Sequence, residues 1–303
     1  MKPIDFDSCE NGYRDYGGSD SKISRVYDGI YYMVKLPTEK QSTINDLQTS
    51  YVNNVISEYV SSQIIKSIGL PVHNTLLGFY NGEIVVACED FNTADYTLQE
   101  FSWFMKNIYR KDEIGRIIQY RQLYETIENN ELLRTIKDEA IKSYWEMFIA
   151  DALIGNFDRH KDNWGYLVSE RFKDIKPAPI YDCGSSLYPE LSEESMEYVL
   201  SNQEEIDKRL FEFPNAAINK NDNNKKISKF GYYELLSEGI DENCNKALIN
   251  VVPDIDIDKI NRIIDDVDII SDVRKTFYKT MIKERYDRIL LDCYNMTIDK
   301  STD

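Results

Sequence analysis

The stretch from Ile154 to Leu167 constrains this chain more than any other, because a dense polar run, Asn156-Phe157-Asp158-Arg159-His160-Lys161-Asp162-Asn163, is set between two strongly apolar segments. Ahead of it, residues 144–153 read as a buried helix; after it, residues 164–168 read as a short strand. A loop anchored at both ends on core elements is where a rigid scaffold presents reactive groups. Asp158 and Asn163 are five residues apart, and the next short strand ends in Tyr181-Asp182-Cys183-Gly184. A carboxylate, an amide and a second carboxylate therefore come from a loop, its end and the following strand end. Oxygen donors of this type suit Mg²⁺, which keeps waters and bridges phosphates.

Length and charge exclude several classes. A chain of 303 residues can bury a large core, and 42% hydrophobic with 29% charged residues is a globular composition. No run of 18 or more apolar residues is present, so a membrane span is not expected. Residues 1–20 are polar and acidic, unlike a secretory signal. The five cysteines (Cys9, Cys88, Cys183, Cys244, Cys293) are widely spaced and odd in number, which favours reduced thiols in a cytoplasm, with delivery to another cell left open. A net charge of −17 opposes non-specific nucleic-acid binding and favours encounter with a basic protein. The two histidines, His73 and His160, are too far apart in sequence to suggest a histidine metal site.

Along the first third, strands dominate. Tyr16-Gly17-Gly18-Ser19-Asp20-Ser21-Lys22 is a glycine and hydroxyl turn whose backbone N–H groups can cover phosphates. A hairpin follows, with Asp28-Gly29 at its turn and Lys35 between Val34 and Leu36 on its second strand. Strand alternation points Lys35 away from its apolar neighbours. Residues 37–50 read as a loop, and residues 51–68 as an amphipathic helix with Glu58 beside its apolar stripe. A second hairpin turns at Asn81-Gly82 and runs into Cys88-Glu89-Asp90-Phe91-Asn92. Residues 1–15 read as a loosely held start.

From residue 97 onward the pattern is helical, with helices expected at 98–109, 114–127, 131–153 (with a break allowed), 192–200, 204–211, 232–237, 256–263 and 273–294. The exception is a hairpin over 164–182. Residues 215–229 are rich in asparagine and lysine and read as a loop. The acidic run 254–272 reads as a solvated helical face; it lacks the glycine and final glutamate of a calcium loop.

The order and spacing of Asp158, Asn163 and Asp182 resemble the catalytic loop and metal-binding segment of protein kinases. More closely, Gly155 to Trp164 and Ile180 to Pro189, with Tyr16 to Asp20, Met33-Val34-Lys35 and Cys88 to Phe91, resemble the HipA-like serine/threonine kinases, and most of all their compact cell-translocating kinase A branch. The resemblance covers most of residues 13–190 and implies ATP, Mg²⁺ and phosphotransfer to serine or threonine. It implies Asp158 as base, Asn163 and Asp182 as metal ligands, Lys35 as the phosphate-contacting lysine paired with Glu58, and His160 as a support for the loop. Gly17, Gly18, Ser19 and Lys22 would cover the nucleotide phosphates, and the segment of Glu89 and Phe91 would be the hinge against the adenine edge. Ser19 and Ser21 are the candidates for an inhibitory autophosphorylation, known in this family on the glycine loop. Toxin-type members carry a further N-terminal domain, whereas 15 residues precede Tyr16 here, so a HipB-like antitoxin partner is not expected. Cys183 stands where most kinases have phenylalanine, so activation by a flip of that side chain is not expected either.

The expected fold is therefore α+β and bilobal, protein-kinase-like: residues 1–92 as a small antiparallel-sheet lobe with one helix, and residues 93–303 as a larger, mainly helical lobe, with ATP in the cleft. The alternatives are a lipid or small-molecule kinase on the same fold, and a nucleotide-binding pseudokinase acting as an interaction module. A toxin acting on a translation factor or an aminoacyl-tRNA synthetase would differ only in its acceptor.

Overall fold

Both asparagine- or aspartate-glycine turns form as their residues dictate. Asp28 and Gly29 have φ of 50° and 75°, and Asn81 and Gly82 have φ of 52° and 80°, the paired positive values of a type I′ hairpin. The computed structural model describes residues 3–16, 21–36, 52–220 and 228–302. Gly17, Gly18 and Ser19, named above for the phosphate loop, lie outside the described residues, as do residues 37–51.

In chain order the first elements are β1 (Ile4–Asp5), β2 (Glu10–Asn11), β3 (Lys22–Tyr27), β4 (Ile30–Lys35), α1 (Val52–Ser67), β5 (Thr75–Tyr80) and β6 (Glu83–Glu89). Their six strands form one sheet in the order β1-β5-β6-β4-β3-β2. It is antiparallel except at one edge, where β1 runs parallel to β5. This corrects the reading of residues 1–15 as a loose start: Phe6 is fully buried in a core with Tyr32, Val34, Val85 and Ala87. Helix α1 packs on β5 and β6 and also on α9 (Ile257–Asp265), so it is covered on more than its apolar stripe. Ser57, Glu58, Ser61 and Ser62 are buried together with Val55, Ile56, Val60 and Ile64.

Next come β7 (Thr97–Glu100), α2 (Phe101–Met105), β8 (Ile118–Gln119), α3 (Tyr120–Asn129), α4 (Lys137–Ile154), β9 (Gly165–Ser169) and β10 (Asp174–Pro177). They are followed by α5 (Glu193–Leu200), α6 (Gln203–Phe211), β11 (Asn215–Asn219), β12 (Lys229–Gly231), α7 (Tyr232–Glu238) and α8 (Glu242–Val251). After α9, α10 (Asp272–Arg285) continues through a π-helical turn at Tyr286–Leu291 into α11 (Asp292–Thr302). Two small sheets, β10-β9-β7 and β12-β11-β8, accompany these helices. The helix expected over 98–109 is instead strand β7 followed by the five-residue α2, because residues 97–100 pair with β9. The loop expected over 215–229 contains β11, whose Ala216, Ala217 and Ile218 are buried, and the start of β12. Helix α8 was not expected at all.

Two compact units emerge, and the chain returns to the first of them twice. The first comprises Met1–Phe91, Cys183–Gln203 and Asp256–Met281; the second comprises Asn92–Asp182, Glu204–Ile255 and Ile282–Asp303. The sheet of six strands, with α1 and α9, belongs to the first, while α4, the polar loop after it and α8 belong to the second. Among the described residues no helix is long and apolar enough to cross a membrane. All five cysteines are free.

Candidate active site

In the first unit, strand alternation sends Val34 into the core and Lys35 to the other face, where its Nζ lies 2.8 Å from Glu58 Oε2. Glu58 is fully buried on α1. Burial alone pushes its carboxyl upward, but the Lys35 ammonium and a hydrogen bond with His73 outweigh it and hold the group ionised, well below the usual glutamate range. The other oxygen, Oε1, accepts the backbone N–H of Cys183 at 2.9 Å. Gly184 runs close to α1 there: a Cβ would come within 3.3 Å of the Asn54 carbonyl oxygen and 3.4 Å of Glu58 Oε2. Lys22 stands opposite Lys35 in the β3–β4 ladder, so the two cationic stems share a sheet face. Ser21 is exposed, and its carbonyl accepts the Leu36 N–H at 3.0 Å. At the end of β6, Glu89 N–H donates to the Asn74 carbonyl at 2.8 Å, and the Glu89 side chain accepts from Asn74 Nδ2 at 2.6 Å. Phe91 is half-buried and is the last residue of this unit's first segment.

In the second unit, the polar run is organised around a buried ion pair that sequence reasoning missed. Arg159 meets Asp151 of α4 bidentately, Nε to Oδ2 at 2.8 Å and Nη2 to Oδ1 at 2.9 Å. Its remaining nitrogen, Nη1, donates to the carbonyls of Asn163 at 2.9 Å, Asp182 at 3.3 Å and Tyr181. One guanidinium thus fixes the loop's end and the backbone around Asp182. Deleting one partner of such a buried pair typically costs ~3–5 kcal/mol, because the other charge is left uncompensated. Asn156 completes the frame: its Nδ2 donates to Asp151 Oδ1 at 3.0 Å and its Oδ1 accepts the Asp158 N–H at 3.1 Å. The signal was in the sequence as a lone aspartate inside an apolar helix eight residues before an arginine.

Asn163 Nδ2 donates to the Asp158 carbonyl at 2.8 Å, which leaves the amide oxygen as the donor atom for a cation. Asp182 has φ of 57°, a left-handed backbone uncommon outside glycine and tolerated best by asparagine and aspartate. His160 stays within the loop: its backbone N–H donates to the Asp158 carbonyl at 2.7 Å, and its ring Nδ1 accepts the Asp162 backbone N–H at 3.2 Å. Burial lowers the tendency of His160 to protonate, against the pull of Asp158 and Asp162. The Asp158 carboxylate itself is met by Arg116, whose Nη2 lies 2.8 Å from both oxygens. Arg116 was not anticipated: the helix expected over 114–127 begins only at Tyr120, after the short strand β8, and Arg116 lies in the loop ahead of it.

The HipA-like C-terminal domain family matches residues 15–244. The serine/threonine-protein kinase CtkA of Helicobacter pylori is 39% identical over 304 residues, covering 99% of this chain and 90% of that protein. The crystal structure of the H. pylori proinflammatory kinase CtkA superposes with a TM-score of 0.90 at 36% identity, over 99% of both chains. HipA of Shewanella oneidensis, solved with HipB and operator DNA, superposes with a TM-score of 0.55 at 15% identity over 94% of this chain and 68% of that one, a likeness of fold alone.

Proposed function

The chain belongs to the HipA-like C-terminal domain family and is a serine/threonine protein kinase, and we propose that it uses ATP with Mg²⁺ through residues named above. The observation that carries the reading is the Lys35 ammonium held 2.8 Å from a fully buried Glu58 carboxylate. An ion pair of this kind orients a lysine for nucleotide phosphates, and a strand lysine paired with a helix glutamate is required in active protein kinases.

In this reading Lys35 contacts the α- and β-phosphates, and Gly17, Gly18, Ser19 and Lys22 cover them. Glu89 and Phe91 offer backbone groups to the adenine edge. The amide oxygen of Asn163 and the carboxylate of Asp182 are hard oxygen donors that fit Mg²⁺. Bound there, the ion would neutralise charge on the phosphates. Asp158 orients the acceptor hydroxyl and takes its proton as the acceptor oxygen bonds to the γ-phosphorus and the bond to ADP breaks. Catalysis is then mainly positioning and charge stabilisation. His160 braces the loop through its own backbone contacts rather than by binding metal.

The acceptor is a protein serine or threonine, and the chain is itself one acceptor, at Ser19 or Ser21. A phosphate there adds close to two negative charges, which compete with the nucleotide for the loop's contacts. Free thiols agree with a cytoplasmic site of action. Intact-mass spectrometry of the protein with Mg²⁺-ATP, beside Asp158→Asn and Asp182→Asn, tests the reading. Phosphate gain in the parent alone, mapped to Ser19 or Ser21, with unchanged circular dichroism in both variants, is expected. Near-parental turnover in either variant would sink the assignment.

A further inference from the structure

Glu58 is held from a third direction. Nε2 of His73 lies 3.0 Å from Oε1, the same oxygen that accepts the Cys183 N–H, while Oε2 takes Lys35. His73 sits between α1 and β5 and its side chain is 2% exposed. Its neighbour Asn74 is clamped on both sides: Lys66 Nζ donates to Asn74 Oδ1 at 2.8 Å, and Asn74 exchanges two hydrogen bonds with Glu89. The ring is therefore held against α1 through Glu58, and the next residue is held by Lys66 of α1 and Glu89 of β6. An ionised carboxylate only accepts, so Nε2 carries the proton. A fully buried carboxylate that loses one donor bears the desolvation cost of the unsatisfied oxygen.

Resting on the kinase reading above, we propose that His73 is a positioning residue for phosphotransfer: by donating to Glu58 it sets the carboxylate that holds both the Lys35 ammonium and the peptide directly after Asp182. Glu58 then links the phosphate-contacting lysine to the backbone of the Asp182-Cys183-Gly184 segment. The link runs through an amide and not through a side chain, so it does not need the phenylalanine that Cys183 replaces. Gly184, next in the chain, also runs close to α1.

The same place could be read as a metal centre, since ligand atoms of Glu58, His73 and Cys88 lie within 4.8 Å of one another. The Lys35 ammonium argues against it. It already neutralises this carboxylate, and a divalent ion added beside it would repel it at close range in a poorly screened interior.

The test compares the full chain with His73→Leu, which cannot donate, and His73→Gln, whose amide can. Steady-state ADP production at varied ATP is measured together with amide hydrogen exchange over residues 181–187. In His73→Leu the KM for ATP should rise about tenfold or more, as expected for a lost hydrogen bond to a charged group, and exchange at the Cys183 amide should accelerate similarly. His73→Gln should recover most of both. Unchanged KM and exchange in His73→Leu would overturn the proposal. Equal impairment of the two variants would also overturn it, since a purely space-filling role predicts no rescue. Stoichiometric zinc in the purified protein, lost with His73→Leu, would replace it with the metal reading. If the parent makes no ADP, the kinase reading fails, while the exchange comparison still decides whether His73 fixes Glu58 and the Cys183 peptide.

Discussion

At Asp158 both carboxylate oxygens face one guanidinium, yet the Arg116 side chain is 68% exposed. Pairs this exposed are worth about 0.2–1 kcal/mol, so in the role proposed for Asp158, Arg116 competes only weakly with the acceptor hydroxyl. Arg116→Ala should raise kcat/KM for a peptide acceptor by about two- to fivefold. A tenfold fall instead would assign Arg116 a contact with the reacting phosphates. Glu58 is the opposite case, fully buried and ionised. Its folded pKa lies below the ordinary value of 4.5, so its stabilising contribution is complete above that pH and is lost as the pH falls below it. Between about pH 5 and 2.5 the urea midpoint of the parent should therefore fall more steeply than that of Glu58→Gln. Parallel slopes would show that Glu58 is not ionised in the folded protein. Individual residues of this kind were only partly legible. Strand alternation and helix position placed Lys35 and Glu58 each beside an apolar stripe, and the resemblance to protein kinases supplied their pairing. The Asp151–Arg159 pair left a local trace, an aspartate in an apolar helix eight residues before an arginine, whereas the partner of His73 is set by the meeting of elements that the sequence does not order in space.

The elements themselves follow local rules closely where those rules are strong. The I′ turns and α1 were legible because turn chemistry and helical period act over a few residues. Helix α8 follows the same local rules, with Cys244, Ala247, Leu248 and Val251 buried at helical spacing and Asp241 capping its N-terminus. Strand β7 was hidden because it gains its hydrogen bonds from the distant β9, and β11, which pairs with both β8 and β12, was hidden because its asparagine- and alanine-rich residues have no propensity that forces extension. The end of α10 carries a further consequence. Arg285 is buried, donates from Nε to the Ala152 carbonyl at 2.6 Å and from Nη1 to the Arg209 carbonyl at 3.1 Å, and lies over the Tyr232 ring. It thereby satisfies a carbonyl in the last turn of α4, the helix that delivers the polar loop. Arg285→Ala should lower the unfolding free energy by ~2–4 kcal/mol in urea titration, through lost hydrogen bonds and a cavity. A loss below ~0.5 kcal/mol would show that water replaces the guanidinium.

For the molecule as a whole, the charge of −17 sets the long-range field. A lysine- and arginine-rich acceptor peptide should lose kcat/KM as ionic strength rises from about 0.05 to 0.5 M, while a neutral one should not, because the Debye length shrinks severalfold. Equal salt dependence would place acceptor recognition in short-range contacts alone. Likeness to known kinases was legible in sequence to about residue 190, whereas the family match runs to residue 244 and the H. pylori relative covers 99% of the chain. None of the residues proposed for phosphotransfer lies in the later helices, and packing alone is satisfied by many sequences. The amide of Cys183, hooked onto a buried carboxylate, bears on inhibitor design. A compound that works by prising this segment away from α1 must break a hydrogen bond to a charged group, worth ~1.5–3 kcal/mol, before it gains any contact. Screening libraries should therefore be weighted toward molecules that accept the segment where it lies, and selectivity sought in what surrounds Cys183 rather than in displacing it.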